Sequence, residues 1–75
     1  MESVQLTPRE QQLLEVLFTG KRDKEAADML GITTDTIKFH SINLRKKFHA
    51  FNRTEVIYKA LQMGLLKPPQ QLQLF

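Results

Sequence analysis

Apolar residues recur three and four apart through most of this chain, and alternation with polar ones is never sustained beyond short runs such as Ser3–Thr7. The pattern predicts an all-α protein. Leu13, Leu14, Val16, Leu17 and Phe18 make one apolar stripe, and Ala26, Ala27 and Leu30 a shorter one. Ile37, Ser41, Leu44 and Phe48 make a third, and Val56, Ile57, Ala60 and Leu61 a fourth. Start and stop signals bound each stripe. Thr7-Pro8-Arg9-Glu10 is a capping box with proline at the first helical position, and Gly20 is a natural stop. Asp23 is expected to cap the second helix and Gly31 to end it. Thr33 caps the third helix after a tight turn. Asn52, with Glu55 three residues on, repeats the capping box for a fourth helix that stops at Gly64. The result is four helices within residues 1–66, the third following a short helix and a Gly31 turn as the reading helix of a helix-turn-helix does. Lys67-Pro68-Pro69 then removes backbone donors and fixes φ, so residues 67–75 are expected to form an extended tail.

The third helix, about residues 34–48, holds most of the functional information. On a wheel of about 100° per residue, Ile37, Ser41, Leu44 and Phe48 form the core seam, with His40 at its edge. Asp35, Phe39, Ile42 and Lys46 collect on the opposite side. Lys38 and Arg45 flank them on one side, and Thr36, Asn43 and Lys47 on the other. Two large apolar residues on an outward face have a cost in a free monomer. A major groove would supply partners, because thymine methyls accept apolar contacts and lysines reach phosphates or guanine edges. Asp35, Lys38, Phe39 and Ile42 are therefore the candidate base readers, the alternative being that Phe39 and Ile42 meet another protein or a neighbouring helix. Lys46 is a candidate phosphate contact. The free N–H groups at the helix start, with Thr33, Thr34 and Thr36, form a second candidate phosphate site, although Thr33 is needed first as a cap. Lys24 opens the helix that crosses the DNA backbone in this motif. Lys47 and Arg53 flank the next turn and have two options: phosphate, or carboxylates such as Glu10 within the domain. His40 reads as a structural histidine, and His49 as a residue at the negative end of the helix dipole.

Charge sharpens this picture. The chain carries a net +3, but residues 34–53 alone hold +4 and the remainder −1. Such localisation points to a polyanion-binding face. Seventy-five residues make one small domain. There is no cysteine, and the two histidines lie too far apart for a usual zinc pair, so no metal or other cofactor is expected. No nucleophile, acid–base pair or phosphate-binding glycine loop is in place, so an enzyme is not expected. No apolar run approaches the roughly 20 residues of a membrane span and no signal-peptide pattern is present, which makes the cytoplasm the expected compartment.

The order of these residues resembles the LuxR/GerE-type DNA-binding domain of bacterial regulators. The anchors are Leu6-Thr7-Pro8-Arg9-Glu10, Lys24-Glu25-Ala26-Ala27, Leu30-Gly31-Ile32-Thr33 and Thr36-Ile37-Lys38-Phe39-His40. Asn43, Lys47-Phe48, Asn52-Arg53, Ala60 and Gly64-Leu65-Leu66 follow in register. The resemblance implies a four-helix bundle with a helix-turn-helix at its centre, and a transcriptional regulator whose third helix reads bases through Lys38 and its outward neighbours. It implies backbone contacts from Lys24, Thr33, Thr36, Asn43 and Lys47. It also implies pairing of two copies through the fourth helix, for which Val56, Ile57, Tyr58, Ala60 and Leu61 are the candidates. Three positions depart from the family pattern: Ile42 stands where polar residues are frequent, Ala26 where a larger aliphatic is usual, and His49 where glycine is usual. The family's regulatory domain has no counterpart here, which leaves a fragment or a stand-alone reader open. The expected partners are duplex DNA and a second copy, with contact to RNA polymerase as a further option.

The tail adds a rival reading. Gln71-Leu72-Gln73-Leu74-Phe75 looks like the short peptide that docks bacterial replication proteins on the sliding clamp. The alternative function is accordingly a protein-interaction module, one that heterodimerises with a related regulator or docks a replication or transcription protein.

Overall fold

The computed structural model describes residues 4–66. Among them are four helices and no strand: α1 (Pro8–Phe18), α2 (Asp23–Leu30), α3 (Thr34–Phe48) and α4 (Arg53–Gln62). The expected all-α architecture is the observed one. The extended tail and its clamp-like pentapeptide lie outside the described residues.

Each start follows from local chemistry. The Thr7 hydroxyl accepts from the Glu10 amide at 3.1 Å, and the Glu10 carboxylate accepts from the Thr7 amide at 3.0 Å, so two orphan donors of α1 are satisfied reciprocally. The start of α2 differs from expectation. Arg22 occupies the cap position and Asp23 is the first helical residue. An arginine side chain has no acceptor, so only half of the box forms: the Glu25 carboxylate accepts from the Arg22 amide at 3.0 Å. Asp23 is thereby released to pair with Arg53 at the start of α4. The Asn52 side chain caps α4 through the Glu55 amide at 2.9 Å as expected, but the Glu55 carboxylate reaches one residue further back, to the Phe51 amide at 2.6 Å.

The core is built from the four predicted stripes. Leu13, Leu14 and Leu17 of α1 meet Ala26 and Ala27 of α2, Ile37, Leu44 and Phe48 of α3, Val56 and Ala60 of α4, and Leu66 beyond it. α1 packs against the three other helices, and α3 lies between α2 and α4. Ala26, which departs from the family pattern, is fully buried. Polar ties close the bundle at its edges. Glu10 is buried, and the Lys47 ammonium binds it at 2.6 Å while also donating to the Gln5 carbonyl at 2.8 Å. This joins the cap of α1 to the end of α3. The Gln11 side-chain Nε2 donates to the Leu65 carbonyl at 3.1 Å, holding the chain beyond α4 against α1.

Candidate nucleic-acid interface

The turn into α3 sets the orientation of the outward face. α2 ends at Gly31, whose φ of 69° lies in the left-handed region that glycine adopts without a Cβ penalty. The Ile32 amide then reaches back to the Ala27 carbonyl at 3.0 Å, and the Arg9 guanidinium donates to the Leu30 carbonyl at 3.1 Å. These bonds satisfy the Ala27 and Leu30 carbonyls and tie the turn to α1. Thr33 follows at once as the cap of α3, its hydroxyl accepting from the Thr36 amide at 3.2 Å and lying 2.9 Å from the Thr36 hydroxyl. Three residues thus connect the two helices.

α3 divides as the wheel predicts. Ile37, Ser41, Leu44 and Phe48 are buried, whereas Asp35, Lys38, Phe39, Ile42 and Lys46 are exposed. Phe39 is 62% exposed and Ile42 42%, large values for such side chains on a packed helix. The Phe39 ring stands edge-on to His40, with centroids 5.6 Å apart, and this contact is the placement that the structure gives His40. Thr36 and Asn43 are half-buried at the border of the face, and Thr33, Thr34 and Lys24 are exposed. Asp35 has a structural role beside its candidate reading role: an acid in the first turn complements the positive helix end.

Shallow depressions run along this side and share their walls. One, of about 370 Å³, is lined by Lys38, Ser41, Ile42, Arg45, Asn52 and Arg53. A second, of about 480 Å³, takes Ile42 and Arg45 again and adds Lys46, His49, Ala50 and Phe51. A third shares Arg53 with the first and continues to Lys21, Arg22 and Lys24 at the start of α2. Arg53 thus lines both the depression on the outward face of α3 and the one beside the basic start of α2. Among the described residues there is no group of side chains able to hold a metal ion, and no helix is long and apolar enough to cross a membrane.

Several positions depart from the sequence-based assignment. Lys47 is committed to Glu10 and the Gln5 carbonyl, so its ammonium is turned toward α1 instead of lying free for a phosphate. Burial alone would raise the Glu10 carboxyl. The hydrogen bond from Lys47, the Thr7 amide and the lysine charge outweigh it and hold the group below its usual value of 4.5. Arg53 pairs with Asp23, so of its two options the carboxylate is realised, although with a different acid from Glu10. On α4, Val56 and Ala60 are core residues, 2% and 0% exposed, and cannot meet a second copy. Tyr58 is exposed, Ile57 and Leu61 are half-buried, and Met63 adds to the same exposed set. The difference arises because α1 and α3 cover one side of α4 and claim its smaller apolar residues.

Other residues escaped the sequence reading. Phe51, 88% exposed, extends the apolar strip beyond Ile42; it follows no helical period, so no wheel could place it. Lys21 and Arg22 enlarge the basic surface from a loop. Lys59 of α4 donates to the Phe48 and His49 carbonyls at 3.1 and 2.8 Å and so closes the end of α3. It does so where His49 adopts left-handed φ and ψ of 53° and 48°, the turn shape that a glycine at this position would supply.

A three-residue turn, a buried seam and an outward basic–apolar face together define a helix-turn-helix DNA-binding domain. The model of the bacterial regulatory proteins of the luxR family matches residues 4–60, and this chain belongs to that family. It is 44% identical over 62 residues to the HTH-type quorum sensing-dependent transcriptional regulator RpaR of Rhodopseudomonas palustris, covering 83% of this chain and 26% of RpaR. The chain therefore spans about a quarter of the length of that relative. Among solved structures it matches the transcription factor GerE with a TM-score of 0.80 at 27% identity, covering 88% of this chain and 97% of GerE. It also matches the Vibrio cholerae VqmA dimer, a LuxR-type receptor described in the absence of its target DNA. That match has a TM-score of 0.80 at 32% identity over 95% of this chain and 32% of VqmA.

Proposed function

We propose that this chain is the DNA-contacting domain of a transcriptional regulator and binds a specific duplex sequence. In this reading α3 lies in the major groove and two copies pair through α4 on a two-fold site. One observation carries it: Asp35, Lys38, Phe39, Ile42 and Lys46 form an exposed face on a helix whose opposite seam, Ile37, Ser41, Leu44 and Phe48, is buried. Lys38 donates to guanine edges or phosphates, and Asp35 can accept from a base amino group. Lys46, Lys24 and the threonines at the start of α3 contact the sugar-phosphate backbone and set register. Asn43, half-buried at the border, joins them. Exposed Tyr58, with the half-buried Ile57 and Leu61, forms the centre of the pairing surface. That RpaR is a transcriptional regulator, and that VqmA is a dimer described apart from its target DNA, supports DNA binding and the pairing of two copies.

Selection of binding sites from random duplexes, followed by sizing of the complex, tests the proposal. The expected product is a two-fold sequence bound by two chains. Failure to enrich any sequence would refute the reader.

A further inference from the structure

We infer that Phe39 and Ile42 make this domain a reader of C5-methyl groups on major-groove pyrimidines, so that its site carries such bases on neighbouring pairs beneath the two side chains. The inference rests on the placement of α3 in the major groove proposed above. Residues three apart on a helix share a face and stand about 4.5 Å apart along its axis, close to the ~3.4 Å step between base pairs. The two side chains can therefore address adjacent pairs.

Their chemistry limits what they can read. Neither has a hydrogen-bonding group, so neither discriminates the N7, O6 or amino groups of base edges. The apolar group that an unmodified major-groove edge offers is the thymine methyl, and 5-methylcytosine presents the same group. Both side chains are well exposed, at 62% and 42%, so each has apolar surface left to bury. The ring of Phe39 is steadied edge-on by His40 at 5.6 Å. Around them stand complementary polar readers: Lys38, which shares a depression with Ile42 and only donates, and Asp35, which only accepts. A face with one donor, one acceptor and two methyl contacts can read thymine directly instead of tolerating it.

The test begins with the duplex selected above. Each dT is replaced singly by dU, which deletes the methyl and preserves base pairing, and affinity is read by fluorescence anisotropy. At one or two positions per half-site the loss should be about 4-fold, the equivalent of ~0.8 kcal/mol for one buried carbon. Phe39→Ala should abolish the dT-over-dU preference at one of these positions and Ile42→Ala at the other. Both side chains lie outside the core, and thermal melting of each variant checks that the fold is kept. A second arm places dC or 5-methyl-dC opposite dG at the same positions. Recovery of affinity on methylation identifies the methyl as the group read, and comparison of T·A with methylated C·G shows which source is preferred. If dU is tolerated throughout, or if the preference survives in both variants, the inference is overturned while DNA binding stands. Absence of any salt-sensitive duplex binding overturns this inference and the proposed function together.

Discussion

Lys38 is the side chain whose removal should speak most directly to base reading. Lys38→Ala is expected to weaken binding to the selected site by about 1–3 kcal/mol and to relax preference at one base pair, measured by anisotropy on a panel of single-base variants. Glu10 is the corresponding residue for stability. Its carboxylate is buried, accepts from the Thr7 amide and is bound by Lys47, and its pKa is depressed. A depressed folded-state pKa contributes stability that is complete above the unfolded value and is lost as pH falls through the folded one. Glu10→Gln should therefore unfold at lower urea concentration than the parent at pH 7, and the gap should close only below about pH 4.5, as both become uncharged there. Ser41 offers the opposite sign. Its hydroxyl is buried in the α3 seam without a hydrogen-bond partner among the described residues. Ser41→Ala should raise stability by about 0.5–1 kcal/mol, since alanine favours the helix and leaves no polar atom to desolvate.

Among the elements, the hinge between α2 and α3 is the most constrained. Gly31 has open space where a Cβ would sit, so any cost of Gly31→Ala arises from the left-handed backbone itself. The variant should lose about 1 kcal/mol in denaturant unfolding, and the same strain should also misorient α3 and weaken DNA binding. α4 carries a division of labour that its apolar pattern conceals. Val56 and Ala60 hold the bundle, while Tyr58 stands outside it. Tyr58→Glu should consequently leave thermal stability near that of the parent and leave affinity for a half-site unchanged. On a full two-fold site it should abolish cooperative binding of the second copy, as read by sizing or gel shift.

Across the whole molecule, basic side chains gather at the start of α2 (Lys21, Arg22 and Lys24) and on the outward face of α3 (Lys38, Arg45 and Lys46), beside depressions that both include Arg53. Each neutralised phosphate releases counterions, so affinity should fall steeply and linearly on a log–log salt plot. Lys46→Ala should reduce that slope by about 1, and Lys47→Ala should reduce it less while costing stability, because Lys47 is engaged with Glu10.

Periodicity alone located the four helices and sorted α3 into a buried seam and an outward face, because a regular helix converts sequence spacing into direction without reference to neighbours. The capping chemistry of Thr7, Thr33 and Asn52 was legible for the same reason: it acts within four residues. Pairings across the bundle were not. Lys47 had both carboxylate and phosphate partners on paper, with phosphate preferred, and only the approach of α1 to α3 brought Glu10 to 2.6 Å. Arg53 met Asp23 because the starts of α2 and α4 converge, and Val56 and Ala60 vanished into the core because two helices close over them. Phe51 lies in a loop, where direction comes from the elements on either side and no repeat encodes it. Local geometry is written in near neighbours along the chain, whereas the choice among competing long-range partners is made by packing.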